Sequence, residues 1–426
     1  MSESSGNRQA REPNRQTAPS SADLLRVNPG WAKLPIFERK GWKHLPFAAF
    51  AESINERVEP ADAAEDIYVG LDDLDSCDLH IRRWGKGSDV IGTKLRFRKG
   101  DIIFGRRRAY QRKLAVAEMD GICSAHAMVV RAKPALVLPE FLPFLMMNDR
   151  FMNRAVEISV GSLSPTINWT TLKLEPFDLP PLEQQSRIAE VLKAVNHASR
   201  MSEDLKSTLT STRLPLVDSL IPTPMSAVNR DQKFIRLDQV ASMLNGHPFP
   251  SASYQQTGIK LIRPGNLAID GTLTWAPNAT VSLPEKFLKE SRGWLIEANQ
   301  VLINLTAQSL EDGFMGRVCF TGLSDQGLLN QRIGKFVLSD AVIPKFFFHC
   351  LQTTPFRALV ENRCEGSKIR HLYFRHFQDF PIPVLDKLAQ MKIVEQMEAF
   401  DVSILAAERA TTKLIELQQV LIDRLS

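Results

Sequence analysis

Two stretches of this chain carry apolar residues at three- and four-residue steps. From Leu182 onward, Ile188, Val191, Val195, Ala198, Leu205 and Leu209 recur with Glu, Lys and Arg between them, the one-sided spacing of an amphipathic helix. This periodic stretch is expected to end where Pro215 removes a backbone donor. A second stretch carries Ile393, Met397, Phe400, Ile404, Ala407, Leu414, Leu417 and Leu421. Both stripes are narrow and close to a 3.5-residue period, which suits two helices packed on each other as a coiled coil; two ordinary core-facing helices are the alternative.

Elsewhere the pattern changes to short β-branched or aromatic runs bounded by Gly, Asp and Pro. Asp66-Ile-Tyr-Val-Gly, Asp101-Ile-Ile-Phe-Gly, Lys113-Leu-Ala-Val-Ala and Ala127-Met-Val-Val-Arg read as strands, as do Lys260-Leu-Ile-Arg, Gln300-Val-Leu-Ile-Asn and Gly316-Arg-Val-Cys-Phe. Their irregular spacing predicts compact α+β units and no doubly wound sheet.

The pattern also repeats. Val137-Leu-Pro-Glu-Phe-Leu finds a counterpart in Val342-Ile-Pro-Lys-Phe-Phe, and Gly161-Ser162 in Gly366-Ser367, both about 205 residues further on. Phe177-Asp-Leu-Pro-Pro-Leu resembles Phe380-Pro-Ile-Pro-Val-Leu with a two-residue slip, and Arg187-Ile188-Ala-Glu190 matches Lys392-Ile393-Val-Glu395. One unit has been duplicated and has diverged: strands and loops, a short helix after a proline, a Gly-Ser turn, a Pro-rich exit strand, then a long helix.

A length of 426 residues exceeds what one core organises. Apolar residues at 44% and charged residues at 24% are ordinary for a globular protein. No apolar run approaches the roughly 18 residues of a membrane span, and Met1 to Ser20 lacks the apolar stretch of a signal peptide, so no membrane association and a cytoplasmic address are expected. Five cysteines without a CxxC pair argue against disulfides and zinc knuckles. The net charge of +5 decides little; its distribution says more. Basic residues gather at Arg106, Arg107, Arg108, Arg112 and Lys113 beside Tyr110, and at Lys368, Arg370, Arg375 and His376 beside Tyr373 and Phe374, the basic-aromatic texture of a polyanion-binding face.

Signs of chemistry are weak. Gly87-Ser-Asp-Val-Ile-Gly92-Thr93-Lys94 nearly writes a phosphate-cradling loop, but the lysine follows the hydroxyl residue. Cys123 and His126 lie close, but an apolar run follows them, so the stretch reads as a strand and not as a nucleophile and base. His371 and His376 lack a third ligand, and Asp204-Leu-Lys206 and Asp231-Gln-Lys233 read as solvated charges. No nucleophile elbow, dinucleotide fingerprint or amino-methyltransferase signature is present. No catalytic residue, metal site or cofactor is therefore assigned to this chain.

Several of these stretches resemble the specificity subunit of type I restriction-modification systems. Lys99-Gly-Asp-Ile-Ile-Phe-Gly-Arg106-Arg-Arg-Ala-Tyr110-Gln-Arg-Lys113 is similar to a family stretch, with Ala109 where the family often has proline. Gly161-Ser162-Leu-Ser164-Pro-Thr-Ile167 resembles its turn before the exit strand, and Pro181-Leu-Glu183-Gln184-Gln185-Ser-Arg187-Ile188 its Pro-Leu-x-x-Gln-x-x-Ile helix start. In the second unit Gly246-His-Pro-Phe249 and Gly258-Ile-Lys-Leu-Ile-Arg263-Pro-Gly-Asn266 resemble domain starts, while Pro383-Val-Leu-Asp-Lys-Leu-Ala-Gln390 carries the glutamine at a shifted position.

The resemblance implies an α+β chain of two mixed α/β target-recognition domains in tandem. Each is followed by a long helix, and the helices pack as a coiled-coil spacer with a pseudo-twofold arrangement. The segments expected are a polar, flexible tail over 1–38, the first recognition domain over 39–181, the first spacer helix over 182–221, the second domain over 222–383 and the second helix over 384–426. Each domain would read half of an asymmetric, bipartite target in double-stranded DNA, and about 28 helical residues would span roughly 40 Å, about one turn of duplex. Candidate DNA contacts are Arg106, Arg107, Arg108, Tyr110, Arg112 and Lys113 in the first unit, and Arg263, Asn266, Lys368, Arg370 and Arg375 in the second; Gly161 and Gly366 are read as backbone turns. Candidate docking positions on the helices are Gln184, Arg187, Ile188, Val191, Val195, Ile393, Met397, Phe400 and Ile404. The partners implied are two methylation subunits that carry S-adenosylmethionine and restriction subunits that use ATP and Mg, in a prokaryotic cytoplasm. The rival readings are an enzyme with unrecognised motifs and a scaffold whose helices assemble partners without reading DNA.

Overall fold

The computed structural model describes residues 34–64, 66–107, 109–162, 164–224, 231–277 and 279–425. The chain divides into two compact units, Met1–Glu203 with Arg409–Ser426, and Asp204–Glu408.

In the first unit an antiparallel sheet runs in the order Ala51–Ile54, Met128–Ala132, Ile102–Phe104, Leu114–Val116. A second sheet orders Arg57–Val58, Lys94–Phe97, Gly121–Cys123, Ile67–Val69 and Gly85–Lys86, with one parallel pair between Ile67–Val69 and Gly121–Cys123. Lys43–Pro46 pairs with the exit strand Pro176–Leu179, an edge position that tolerates proline. Below lie Phe47, Phe104, Phe151 and Phe177, with ring centroids 5.2 to 5.9 Å apart. Phe37 is buried in the same core, so the chain is packed before residue 39; residues 1–33 of the expected tail lie outside the described residues.

The second unit repeats this plan. Its antiparallel sheet is Ala241–Asn245, Ile333–Leu338, Val301–Asn304, Val318–Phe320, and its second sheet Val281–Leu283, Ile259–Ile262, Gly327–Leu329, Leu295–Ile296 again holds one parallel pair. Phe234–Arg236 pairs with the exit strand Pro381–Pro383. The repetition reaches single hydrogen bonds. Gly70 N donates to Asp73 Oδ2 at 2.8 Å, and Arg263 N to Asn266 Oδ1 at 2.9 Å, each just after the parallel strand.

The strongest repetition is a buried amide. Gln185 Oε1 accepts from Leu138 N (2.8 Å), while its Nε2 donates to Leu136 O (2.9 Å) and Pro180 O (2.8 Å). Gln390 does the same with Ile343 N (2.8 Å), Ala341 O (3.0 Å) and Leu385 O (2.9 Å). The glutamine expected at a shifted position therefore sits at the equivalent place, since only there can one amide satisfy three buried backbone groups.

The long helices are Leu182–Leu220 and Lys387–Asp423, 39 and 37 residues, inside the expected segments 182–221 and 384–426 and longer than the span of about 28 residues. The first passes through Pro215. Tertiary contacts hold its last turns: Val217 is buried, Arg213 grips both oxygens of Asp401 (2.6 and 3.1 Å), and Asp218 accepts from Thr354 N and Oγ1 (2.8 and 2.6 Å). They outweigh one lost backbone bond. The helices run antiparallel within each unit, through Ser202 to Thr411 (3.0 Å) in the first and Lys206 to Glu408 (2.9 Å) in the second. These contacts are polar. The apolar positions Ile188 and Leu192 share a core with Leu421 and Ile422 of the second helix, and Ile393 and Met397 share one with Val217 of the first, so within each unit the two helices also meet through apolar side chains. No helix among the described residues is long and apolar enough to cross a membrane.

His349 occupies the place that Phe144 holds in the first unit. It is fully buried, its Nδ1 lies 3.2 Å from Gln352 Oε1, and Nε2 has no partner among the described residues. Burial, and then the Arg213 guanidinium, push its pKa down from 6.5 to about 4. The folded state thus refuses a proton that the unfolded chain accepts below about pH 6.5, so stability is undiminished above pH 7 and falls with acidity until about pH 4.

Two predictions follow from these buried groups. Gln390→Leu leaves two carbonyls and one amide unpaired and should lower unfolding free energy by about 3 kcal/mol in a denaturant titration; an unchanged midpoint would refute the clasp. His349→Phe should remove about 2 kcal/mol of the stability that the wild type loses between pH 7.5 and pH 5. The comparison must be variant against wild type, because burial raises Asp423 to about 6 and shifts stability in the opposite sense over that window.

Candidate nucleic-acid interface

In the first unit three loops converge at one end of the sheets. Strand Ile102–Phe104 runs out into Gly105-Arg106-Arg107, and because Phe104 is in register with Met128, this exit lies beside the turn Ser124–Ala127. Gly161, at φ +116, turns the chain so that Thr166 bridges Arg107, a conformation that suits glycine. Arg106 Nη2 donates to Ala125 O at 3.1 Å. Arg107 donates from Nε to Ser164 Oγ at 2.7 Å and from Nη1 to His126 Nε2 at 3.4 Å. Lys94 Nζ donates to the carbonyls of Ile91 and Gly92.

These side chains border a cleft of about 500 Å³ whose lining includes Asn55, Arg57, Thr93, Lys94, Arg106 and His126 and no carboxylate. Partial burial, and then Arg107, Arg106 and Lys94, hold the His126 pKa below its ordinary value. The cations are held by neutral acceptors, so their charge remains available to an anion.

The second unit keeps the frame and changes the side chains. Thr306–Ala307 pairs with Arg370–His371 behind Gly366, at φ +108, so Thr306 stands where Arg107 stands in the first unit. The turn Asn330–Arg332 replaces Ser124–His126. Asn330 Oδ1 accepts from Arg332 N at 3.1 Å as Ser124 Oγ accepts from His126 N at 3.2 Å.

The expected contact residues divide. Arg107, Tyr110, Lys368 and Arg375 are exposed, although Arg375 is paired with Glu365 (3.1 and 3.2 Å) over the Tyr373 ring. That pairing, followed by His376, holds the Glu365 carboxyl below its usual range. Arg370 is half-buried with Nη1 3.9 Å from Cys364 Sγ. Others turn inward. Arg112, at φ +51, is paired with Asp149; Lys113 Nζ donates to Leu71 O (2.6 Å); Arg263 Nη2 donates to Ala279 O (2.9 Å); and Asn266 is fully buried, its Nδ2 on Thr274 O (3.0 Å). Arg108 lies outside the described residues.

Among the helix positions, Gln184 is engaged with Ile36 O (2.8 Å), Glu38 O (2.7 Å) and the Trp42 indole (3.0 Å). Ile188, Ile393 and Met397 are buried, Val195, Phe400 and Ile404 are half-buried, and Arg187 and Val191 are exposed. Sequence reasoning passed over Arg57 and Arg332 and dismissed Lys94 and His126. The signal was present: aligning Gly121 with Gly327 puts His126 on Arg332.

Comparison with known proteins agrees with this architecture. Residues 85–211 and 229–417 match the family model of the type I restriction modification DNA specificity domain. The type I restriction enzyme EcoDI specificity subunit of Escherichia coli is 28% identical over 156 residues, covering 34% of this chain and 33% of that protein. The MjaVIII specificity subunit of Methanocaldococcus jannaschii is 20% identical over 236 residues, covering 52% and 54%. The matches thus span between a third and about half of these relatives' lengths. Among solved structures, a chain from a type I restriction-modification system superposes with a TM-score of 0.58 at 21% identity, covering 91% of this chain and 97% of that one. The type I restriction-modification S subunit of M. genitalium gives 0.55 at 13%, covering 90% and 96%; both show the shared fold. With the family model matched in both halves of the chain, this protein belongs to the type I restriction-modification DNA specificity domain family.

Proposed function

We propose that this chain is the DNA-reading subunit of a type I restriction-modification complex, each unit reading one part of an asymmetric, bipartite target. The observation that carries the reading is the duplicated frame with unlike side chains at its convergent loops. Two identical readers select a palindrome; two different ones select an asymmetric site. In the first unit Arg57, Lys94, Arg106 and Arg107 meet phosphates and set register. Lys368 takes that part in the second, and Tyr110 and Tyr373, both 43% exposed, supply flat faces beside the backbone.

The long helices serve as spacer and docking face. Because the stripe residues Ile188, Ile393 and Met397 are interior, the helix positions offered to methylation and restriction subunits are Val191 and Met201 on the first unit and Leu205, Leu388, Val402 and Leu405 on the second, which are apolar and exposed, a composition that favours a protein partner. The chain itself performs no chemical step. S-adenosylmethionine, ATP and Mg act in the partners, and this chain decides where.

Co-expression with two copies of a cognate methylation subunit, followed by single-molecule mapping of N6-methyladenine, should yield one recurring asymmetric motif with a fixed internal gap, lost when this chain is deleted. A soluble complex that methylates no recurrent motif would sink the reading and favour a scaffold. In the same complex, Arg107→Ala should weaken binding to all duplexes alike and flatten the plot of log affinity against log salt by about one unit.

A further inference from the structure

We propose that His126 and Arg332 are the specificity-determining side chains of the two units, each reading a base edge in its own half of the target. The inference rests on the DNA-reading function above and adds which residues discriminate. Both residues occupy the same place in the duplicated frame. Each lies in the turn between the strand that makes the parallel pair and the central strand of the antiparallel sheet. The hydroxyl or amide two residues earlier caps the main-chain N–H in both, and the next residue closes the turn: Ala127 N to Ser124 O and Ile333 N to Asn330 O, each 2.9 Å. The backbone is therefore fixed while the side chain differs in kind.

The two side chains are exposed, and their head groups keep free hydrogen-bonding atoms. Among the described residues the Arg332 guanidinium makes no hydrogen bond or ion pair, whereas Arg106, Arg107, Arg263, Arg317 and Arg375 are all bound to protein acceptors. His126 Nε2 accepts from Arg107, which in a neutral ring places the proton on Nδ1, and Nδ1 has no partner among the described residues. Partial burial, and then the surrounding arginines and lysine, lower its pKa and favour the uncharged ring. His126 thus offers one directed N–H, matched to a purine N7, a guanine O6 or a thymine O4. Arg332 offers a two-pronged donor matched to guanine O6 and N7. A neutral imidazole adds nothing to the attraction that the neighbouring cations already provide for phosphate, whereas its single directed N–H can discriminate among base edges.

The test uses the full chain with its methylation subunit, as wild type, His126→Ala and Arg332→Ala, with the methylated motif read genome-wide. His126→Ala should relax one position in one half of the motif by about ten- to a hundredfold and leave the other half intact. Arg332→Ala should do the same at a guanine of the other half. His126→Gln and Arg332→Lys serve where an alanine variant loses the wild-type melting temperature; they should alter preference at the same single positions. A wild-type motif that survives the substitutions unchanged, or a uniform loss of methylation with every position intact, overturns the assignment while sparing the DNA-reading function. A wild-type chain that gives no motif overturns both.

Discussion

The structure depends on one interaction made twice: a buried glutamine amide that ties the start of each long helix to the backbone of its own globular unit. Gln185 and Gln390 each satisfy one N–H and two C=O groups that would otherwise be buried unpaired. Each bond contributes modestly to stability, but leaving such groups unmade is costly. The amide therefore acts as a geometric lock. It joins the helix start to the loop before the short helix that packs on the sheets, so the long helix and the sheets of a unit move as one. A spacer is useful only if the element it spaces cannot pivot on it, and the lock supplies that rigidity at each helix start.

The duplication has preserved what fixes the backbone and released what faces outward. Gly100 and Asn299 both take positive φ just before the strands Ile102–Phe104 and Val301–Asn304, at +90 and +61, and Gly161 and Gly366 both turn the chain before the exit strand. At Gly121 a Cβ would come within 2.6 Å of Ile67 O, and at Gly327 within 2.7 Å of Lys260 O, so the parallel pairing in each unit requires the missing side chain. At the loop ends, by contrast, Arg107 is answered by Thr306 and His126 by Arg332. Cores diverge more quietly, as where His349 replaces Phe144 and brings a buried titratable ring to a position that is purely apolar in the first unit.

Much of this was legible in the sequence. The period of the helices, the displacement of about 205 residues and the α+β texture all depend on which residue types recur, and recurrence can be counted. What could not be counted was direction. Arg106, Arg107, Arg112 and Lys113 are equally basic in sequence, yet the positive φ at Arg112 sends it to Asp149 and the strand alternation sends Lys113 to Leu71 O. Asn266 was read as a contact by its type, while its role is to close the turn that Asp73 closes in the first unit. The helix stripes left a related question open, because a buried face looks the same in sequence whether it meets a partner helix or its own domain; Ile188 and Met397 lie in cores that hold both.

Tying basic side chains to carbonyls has a consequence for recognition. An arginine free in solvent loses rotamer freedom when it meets a phosphate, a cost of about 0.5 to 1.5 kcal/mol for each such side chain. Arg106 and Lys94 have already lost it, held by Ala125 O and by the carbonyls of Ile91 and Gly92, and their charges face a cleft without carboxylates. On the proposed function, attraction to duplex DNA would then be built into the folded state and indifferent to sequence. Discrimination must come from groups that are neither spent on the fold nor needed for charge. On that reading, a frame that holds its cations in place and lets one turn side chain per unit vary would separate affinity from specificity, so the target could change without rebuilding the surface that binds DNA.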